Sequence, residues 1–283
     1  SMNDAVNNVG VGYLALEDLT TGDYNTALGT QAMLNTTDGQ ENVAIGQGAL
    51  SAANAGESYN IAIGSGCMAS VDNSASDSNV AIGREAFTGG GGAANKNVVI
   101  GADAMKSTGG NTQEGTIAIG YSALTALTSG AGNVAVGSGS MAAMTTGDYN
   151  TAIGHRALTL NVSGDYNVAV GYGTLSTANE DTANQNTAIG YKALTLLTTG
   201  INNTAVGSLA GGEGTITGDS NTLVGKSAGA TLSGGARNVA IGTNALKVLT
   251  AGGTADLGNV AIGYGALDSL QTGMSNVAIG VAA

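Results

Sequence analysis

The sequence contains no proline, no tryptophan, one cysteine and one histidine among its 283 residues. A single cysteine excludes an internal disulfide framework, and one histidine with one cysteine cannot supply the usual ligands of a zinc site. Aromatic residues make up only 4% of the chain, which is unusual for a conventional globular core. Charged residues make up 10% and hydrophobic residues 42%, a balance that does not fit intrinsic disorder.

Positive charge is also scarce, because eight Lys and Arg stand against twenty Asp and Glu and give a formal net charge of −12. Such a chain should repel phosphates, so nucleic acid is not expected as a partner. No run of eighteen apolar residues is present, so we expect no membrane contact by this segment, and no signal peptide is visible. Ser1 and Met2 are interpreted as a cleavage remnant and an initiator, which leaves residues 3–283 as a single repeat solenoid.

Glycine is abundant, with 48 residues, and it marks a repeated nine-residue anchor. The anchor reads Asn-[Thr/Val/Ile]-Ala-[Ile/Val/Leu]-Gly-x-x-Ala-[Leu/Met], and its residues are called positions one to nine below. Successive anchor glycines are usually 17 residues apart and otherwise 18, 19 or 21. The sixteen anchor glycines are Gly12, Gly29, Gly46, Gly64, Gly83, Gly101, Gly120, Gly137, Gly154, Gly171, Gly190, Gly207, Gly225, Gly242, Gly263 and Gly280.

A unit of this length is too short for two helices, whereas two short strands joined by turns fit it well. The pattern therefore predicts an all-β fold, a parallel β-roll or β-solenoid of about sixteen coils. Strand side chains alternate between two faces. The β-branched residues of positions two and four are expected to point into the coil, so that position three, which is mostly Ala, faces outward.

The residues that hardly vary between repeats have structural explanations. Position one is Asn in every anchor except that of Thr116, and stacked Asn side chains can form a hydrogen-bonded ladder. The glycine of position five permits a positive φ or a close approach between backbones. Representative structural repeat residues are Asn42, Gly46, Asn150, Gly154, Asn186, Gly190, Asn259 and Gly263.

The sequence Asn-Val-Ala-Ile-Gly-x-x-Ala, at Asn42–Ala49, Asn238–Ala245 and Asn259–Ala266, resembles the head repeat of trimeric autotransporter adhesins, the YadA-like heads. The resemblance implies a left-handed parallel β-roll, a homotrimer, an extracellular location on an outer-membrane-anchored protein, and binding to host protein or glycan. The variant at Gly147–Gly154 is also similar to repeats in phage and viral fibres. The present repeat is longer than is common in the adhesin heads, and no neck, heptad stalk or membrane anchor is visible.

An outward rank of alanines should not stay exposed to water along sixteen coils. We therefore expect three chains to pack against one another there, the alternative being that Ala packs under the loops of its own chain. The expected trimer seam consists of Ala44, Ala62, Ala135, Ala152, Ala188 and Ala261.

No catalytic residues, metal ligands or cofactor can be assigned. The segment Ser220–Ser227 nearly matches a phosphate-binding loop but lacks its first glycine and is better explained as a repeat strand. His155 falls at the variable position six and is expected to be exposed, and Cys67 is expected to replace the buried Ala of position eight. Aspartates recur just before the anchor, where they are interpreted as turn formers, with a calcium ladder as the alternative: Asp23, Asp148, Asp165 and Asp219.

Tyrosine recurs at position six, in Tyr13, Tyr121, Tyr172, Tyr191 and Tyr264. Exposed Tyr side chains bind proteins and glycans well, so these five are candidate ligand-binding residues. The alternative is that Tyr packs on Tyr and braces the loops between coils.

Three functions fit these patterns. The first is a segment of an extracellular trimeric fibre or adhesin, non-enzymatic, acting as a structural rod or head with self as partner and host protein or glycan as ligand. The second is the shaft of a phage or virus tail fibre. The third is an ice-binding solenoid, which would need a flat outward Thr ladder, whereas position two is expected to point inward and alternates irregularly among Thr, Val and Ile.

Overall fold

The structure is a computed structural model that describes residues 4–54, 56–89, 92–109, 112–178, 183–249 and 258–283. The chain divides into two compact units, Ser1–Gly147 and Asp148–Ala283. Each unit is all-β and forms a parallel β-solenoid. Ser1 and Met2 lie outside the described residues. In the described ranges no helix is long and apolar enough to cross a membrane.

Among the described residues of the first unit, eight three-residue strands form a parallel sheet and two shorter strands, β6 and β8, pair separately. In chain order they are β1 (Val9–Val11), β2 (Thr26–Leu28), β3 (Val43–Ile45), β4 (Ile61–Ile63), β5 (Val80–Ile82), β6 (Ala94–Asn95), β7 (Val98–Ile100), β8 (Gln113–Glu114), β9 (Ile117–Ile119) and β10 (Val134–Val136).

The second unit has the same plan in the ranges that the structure describes, with eight three-residue strands in a parallel sheet and a separate pair, β16 and β18. In chain order they are β11 (Thr151–Ile153), β12 (Val168–Val170), β13 (Thr187–Ile189), β14 (Thr204–Val206), β15 (Thr222–Val224), β16 (Thr231–Leu232), β17 (Val239–Ile241), β18 (Val248–Leu249), β19 (Val260–Ile262) and β20 (Val277–Ile279).

Within each unit, equal repeat positions lie opposite one another on neighbouring strands. Ala44 of β3 pairs with Ala62 of β4, and Ala188 of β13 pairs with Ala205 of β14. Because the register follows the anchor whatever the intervening length, every anchor forms its strand at positions two to four. The prediction of parallel solenoid coils stacked by repeat position is therefore confirmed for each unit.

The orientation of the strand faces is the reverse of the prediction. Position three points into the coil, and the β-branched residues of positions two and four point outward, as in Ile153, which is 41% exposed. The expected seam residues are 0% exposed within a single chain and cannot line an interface: Ala44, Ala62, Ala135, Ala152, Ala188 and Ala261. The reason is space, because the large buried side chains of position nine, such as Leu50 and Leu194, fill the coil and leave room only for a small residue.

The expected second strand of each coil is largely replaced by turns. Backbone hydrogen bonds still join neighbouring coils there, for example from Leu50 N to the Cys67 carbonyl at 2.9 Å. The residues at positions seven and nine, however, adopt the left-handed region, with φ of 58° at Gln31 and 51° at Met33. This conformation costs roughly 1–2 kcal/mol for a residue with a Cβ, and burial of the position-nine side chain offsets that cost.

Both explanations offered for the anchor glycine are confirmed. Gly46 has a φ of +132°, and a Cβ added to it would lie 2.5 Å from the carbonyl oxygen of Gly64 in the next coil. Gly190 repeats this arrangement in the second unit, with a φ of +128° and a distance of 2.7 Å to the Gly207 carbonyl oxygen. Only glycine allows the coils to approach this closely.

The predicted Asn ladder is present in both units. The backbone and side-chain nitrogens of Asn42 both donate to Oδ1 of Asn25, at 3.0 and 3.1 Å. In the second unit, Asn203 donates to Oδ1 of Asn186 in the same way, at 3.0 and 3.2 Å. Its side-chain nitrogen also donates to the Gly218 carbonyl at 3.0 Å. These amides are buried, so the ladder satisfies polar groups that would otherwise destabilise the interior.

One pair of coils in the second unit exchanges large and small residues. Position three is Leu223 instead of Ala, while position nine is glycine in its own coil, Gly229, and in the preceding one, Gly211. A Cβ on Gly229 would lie 2.6 Å from Cδ2 of Leu223, and one on Gly211 would lie 2.9 Å from its Cδ1. Leu223 therefore occupies space that position nine fills in other coils, and the core stays closely packed.

Candidate binding site

The surface formed by positions six and seven follows directly after the anchor glycine. Neighbouring coils are joined here by backbone hydrogen bonds from position seven to position six, such as Gly173 N to the His155 carbonyl at 3.0 Å and Lys192 N to the Tyr172 carbonyl at 2.9 Å. These bonds hold successive position-six side chains above one another. The repeat therefore turns any run of aromatic residues at this position into a stack.

Such a run occurs once in the described chain, over three consecutive coils of the second unit. The rings of His155 and Tyr172 stack with centroids 5.4 Å apart and planes at 9°. Those of Tyr172 and Tyr191 stack at 5.6 Å and 13°. Nζ of Lys192 lies 5.4 Å from the centroid of the Tyr191 ring, within the range of a cation–π contact.

Position seven of the same three coils places two cations on either side of a glycine. The residues are Arg156, Gly173 and Lys192. Gly173 has a φ of +59° and no side chain, so a gap separates the two basic side chains. In the described residues neither Arg156 nor Lys192 takes part in an ion pair, since the five ion-pair contacts within 4 Å all involve Arg84, Lys96 or Lys106.

A cavity of about 480 Å³ opens at this gap. Tyr172 and the two cations contribute to its lining, and hydroxyl groups from the following turn contribute the rest, together with the half-exposed Leu160. Its lining residues are Arg156, Thr159, Leu160, Tyr172, Gly173, Ser176, Thr177, Lys192 and Thr195. The arrangement combines the edge and hydroxyl of a tyrosine ring, two positive charges and several hydroxyls, and we call it the Tyr172 groove.

Of the five candidate tyrosines, the structure brings together only Tyr172 and Tyr191. Tyr13, Tyr121 and Tyr264 lie on other coils and are more exposed, at 71%, 60% and 60% against 47% for Tyr172. A second tyrosine stack precedes the anchor, where the rings of Tyr149 and Tyr166 are 5.5 Å apart. Packing of Tyr on Tyr between coils, the alternative weighed above, is thus present at both of these stacks.

The other singled-out residues occupy the places expected of them. His155 is exposed. Cys67 is fully buried at position eight, where burial raises the pKa of its thiol to about 12, so it has little thiolate character at neutral pH. The segment Ser220–Ser227 contains strand β15 and is followed in the described residues by turns and by β16, without a helix.

The recurring aspartates accept hydrogen bonds from the backbone of the preceding coil. Oδ1 of Asp23 accepts from Val6 N at 2.7 Å, and Oδ1 of Asp165 accepts from Asp148 N at 2.8 Å. Asn184 fills the same role for Asp165 N, so a neutral amide serves as well as a carboxylate. This agrees with the turn-forming interpretation. No group of three or more His, Cys, Asp or Glu side chains in the described residues is placed to hold a metal ion.

Sequence reasoning found Tyr172 and Tyr191 but missed the two cations and the hydroxyls beside them. The available signal was register, because Arg156 and Lys192 share position seven in alternate coils and Gly173 stands between them. Aligning the repeats and comparing equal positions in successive coils would have placed basic and aromatic residues side by side.

In comparisons with known proteins, the chain matches no protein-family model and no curated protein sequence.

Proposed function

We propose that this chain is a structural, non-enzymatic segment of an extracellular trimeric fibre or adhesin, with copies of itself as its partners. The observation that carries the proposal is the outward face of the strands in each unit. There the Val, Ile and Thr side chains of position two and the aliphatic side chains of position four form two ranks of residues, and Ile153, Ile189 and Ile241 of position four are 39–41% exposed.

The size of this face suits an interface between copies. Eight strands about 4.8 Å apart, each with three residues rising about 3.3 Å apiece, present roughly 400 Å² in each unit. A patch of that size is already as large as the largest on a typical monomer. The face of one unit is about half of the area that each partner contributes to a standard protein interface.

The trimeric state and the extracellular location follow the resemblance to adhesin heads at the anchor. We propose positions two and four as the seam, since position three is buried within the single chain. A fibre role is also supported by the repeat itself, because the residues shared by all coils serve stacking. The shaft of a phage or viral fibre is the same proposal on another particle, and the neighbouring domains of the full-length product distinguish the two.

Light scattering tests the assembly. The expected mass at micromolar concentration is about 82 kDa, three times the 27.3 kDa of one chain. The double variant Ile153→Lys, Ile189→Lys places charges on the outward face and should give the monomer mass with unchanged circular dichroism. Ser208→Lys is the matched control, because position six of the next coil holds a natural Lys226, and it should leave the trimer intact. A monomer mass for the unmodified chain would contradict the proposal.

Ice binding is a second candidate, because position two points outward and not inward as expected. Thr187, Thr204 and Thr222 form a run of three on consecutive strands in register. Valines interrupt the rank elsewhere, and position four is aliphatic throughout. A freezing-hysteresis measurement on the monomeric double variant and on the unmodified chain decides between this candidate and the fibre.

A further inference from the structure

We propose that the Tyr172 groove binds an acidic sugar, a carboxylated monosaccharide at the end of or within an oligosaccharide. The proposal deepens the proposed function by naming a ligand class, and it rests on that function in requiring the groove to face the extracellular medium. No lining residue of the groove belongs to position two or four. Binding in the groove and self-association on the strand face therefore use different residues.

The two cations give the groove its preference for an anion. The chain carries only eight Lys and Arg in all, and two of them line this one cavity without an ion-pair partner in the described residues. A guanidinium can hold a carboxylate through two parallel hydrogen bonds, and an ammonium adds a point charge. Because the rest of the surface is acidic, a ligand with one carboxylate fits this place better than a polyanion does.

The exposed edge of Tyr172 and the hydroxyls of the groove give it its preference for a sugar. Tyr172 is held between His155 and Tyr191 by stacking on both faces, so its exposed edge and hydroxyl are fixed in position. The Thr177 hydroxyl donates a hydrogen bond to the Thr195 carbonyl, and the Thr195 hydroxyl donates one to the Gly173 carbonyl. Their oxygens are left as acceptors, which complements the hydroxyl donors of a sugar.

The volume of the cavity and the absence of a side chain at Gly173 leave room for a ligand. A cavity of about 480 Å³ falls within the range of pockets that hold small ligands. Position seven accepts side chains in other coils at a similar φ, for example Lys192 at 52° and Leu209 at 58°. A Cβ on Gly173 would meet only Cγ of Lys192, at 3.6 Å. The glycine is therefore not required for folding, and its absence of a side chain keeps the groove open.

Calorimetric titration of the full chain with 3′-sialyllactose and with galacturonate, each of which carries one carboxylate, tests the proposal, with neutral lactose as the comparison. We expect at least one acidic sugar to bind about tenfold or more tightly than lactose, and the preference to shrink at high salt. Arg156→Gln with Lys192→Gln should remove the preference. Gly173→Leu should abolish binding by filling the groove.

Matched controls separate the groove from general effects. Gly265→Leu introduces the same side chain at position seven of another coil, where φ is +62°, and Lys226→Gln removes a cation outside the groove; both should bind normally. Equal binding of acidic and neutral sugars, tighter binding of a nucleotide such as ATP, or equal loss in the controls would overturn the proposal. Light scattering on the same samples reports the trimer independently, so a failure of sugar binding and a failure of the assembly give different results.

Discussion

The two units of the chain share most of their buried residues and differ more in their exposed ones. The first unit has three basic and twelve acidic residues, a formal charge of −9, and the second has five basic and eight acidic, a charge of −3. In the first unit, Arg84, Glu85 and Asp103 at positions six and seven form an ion-pair cluster with Lys106, which follows position nine. In the second, the same positions carry the aromatic stack and the two cations of the Tyr172 groove.

This difference shows which positions of the repeat are constrained by folding. Asn, Ala, Gly and Leu at positions one, three, five and nine are fixed by the ladder, by space and by backbone contact. Positions six and seven satisfy only a backbone hydrogen bond, so their side chains can differ between coils at little cost in stability. Functional differences along the chain are therefore expected at these two positions, and variants at shared and unshared positions test that view.

The largest effect should come from the shared glycine, and it should be equal in the two units. Gly46→Ala and Gly190→Ala each force a Cβ into the next coil's backbone and should lower the free energy of unfolding by about 4 kcal/mol or more. Urea denaturation measures this. Gly48→Ala is the control, because its Cβ would have only Ser51 Oγ at 3.9 Å as a neighbour, and it should cost about 1 kcal/mol. Equal losses at Gly46 and Gly48 would contradict the close contact between coils.

The exchange of large and small residues is expected to matter only in the second unit. Leu223→Ala should destabilise the protein by about 3 kcal/mol, because it leaves a cavity between coils whose position nine is glycine. Gly229→Leu alone should also destabilise, through contact with Leu223. The double variant Leu223→Ala, Gly229→Leu has the small position three and large position nine of the other coils, so it should recover part of the lost free energy of unfolding. A double-mutant cycle in urea measures this recovery. Strictly additive losses would show that the two residues do not share one space.

Alkaline pH should affect a buried group that only the first unit contains. The folded thiol of Cys67 has its pKa raised from 9.0 to about 12, so the unfolded chain loses this proton first. Stability should fall as pH rises between these values, by about 1.4 kcal/mol per unit from this group. The control Cys67→Ala should show a smaller decline in melting temperature, since it has no thiol to ionise. Parallel declines would place the alkaline sensitivity elsewhere.

The smallest effect concerns the one gap in the Asn ladder, which lies in the first unit. Thr116 N donates to Asn97 Oδ1 at 2.9 Å, but the Thr116 hydroxyl oxygen is buried without a hydrogen-bond partner in the described residues. Thr116→Asn should extend the ladder and stabilise the protein by about 1 kcal/mol. Thermal unfolding measures the gain, with Thr116→Val as the control that removes the hydroxyl without adding an amide. A stability no higher than that of the Val variant would rule out a contribution from the added amide.

The repeat, its register and the roles of Asn and Gly were predictable from the sequence, because a Gly in all sixteen anchors and an Asn in fifteen of them report structural constraint directly. The inward face was predicted wrongly, since β-branched residues were assumed to seek the core. The decisive signal was the alternation of side chains along the strand. Asn42, Ala44 and Gly46 occupy every second position and therefore share one face. A laddered Asn is interior, so Ala44 had to be interior as well.

The left-handed residues and the groove could not be predicted in the same way. Met33 and Leu50 hold φ of 51° and 48°, and no sequence signal distinguishes them from ordinary buried residues, because their burial overrides the local preference of the backbone. The groove depends on contacts between coils about seventeen residues apart. Tyr172 and Tyr191 were visible as candidates, whereas the part played by Gly173 becomes clear only when its neighbours in adjacent coils are in place.

The Asn ladder joins coils of unequal length through the same bonds. The backbone nitrogen of Asn60 reaches Asn42 across 18 residues, and that of Asn259 reaches Asn238 across 21, with distances of 2.9 and 3.0 Å. Each of these coils therefore forms the same hydrogen-bonded Asn contact with its neighbour, the joint between coils, regardless of the length of the loop that it carries. A gene built from such units can gain or lose whole coils by duplication and deletion, and can acquire new loops, while the joint between coils stays the same.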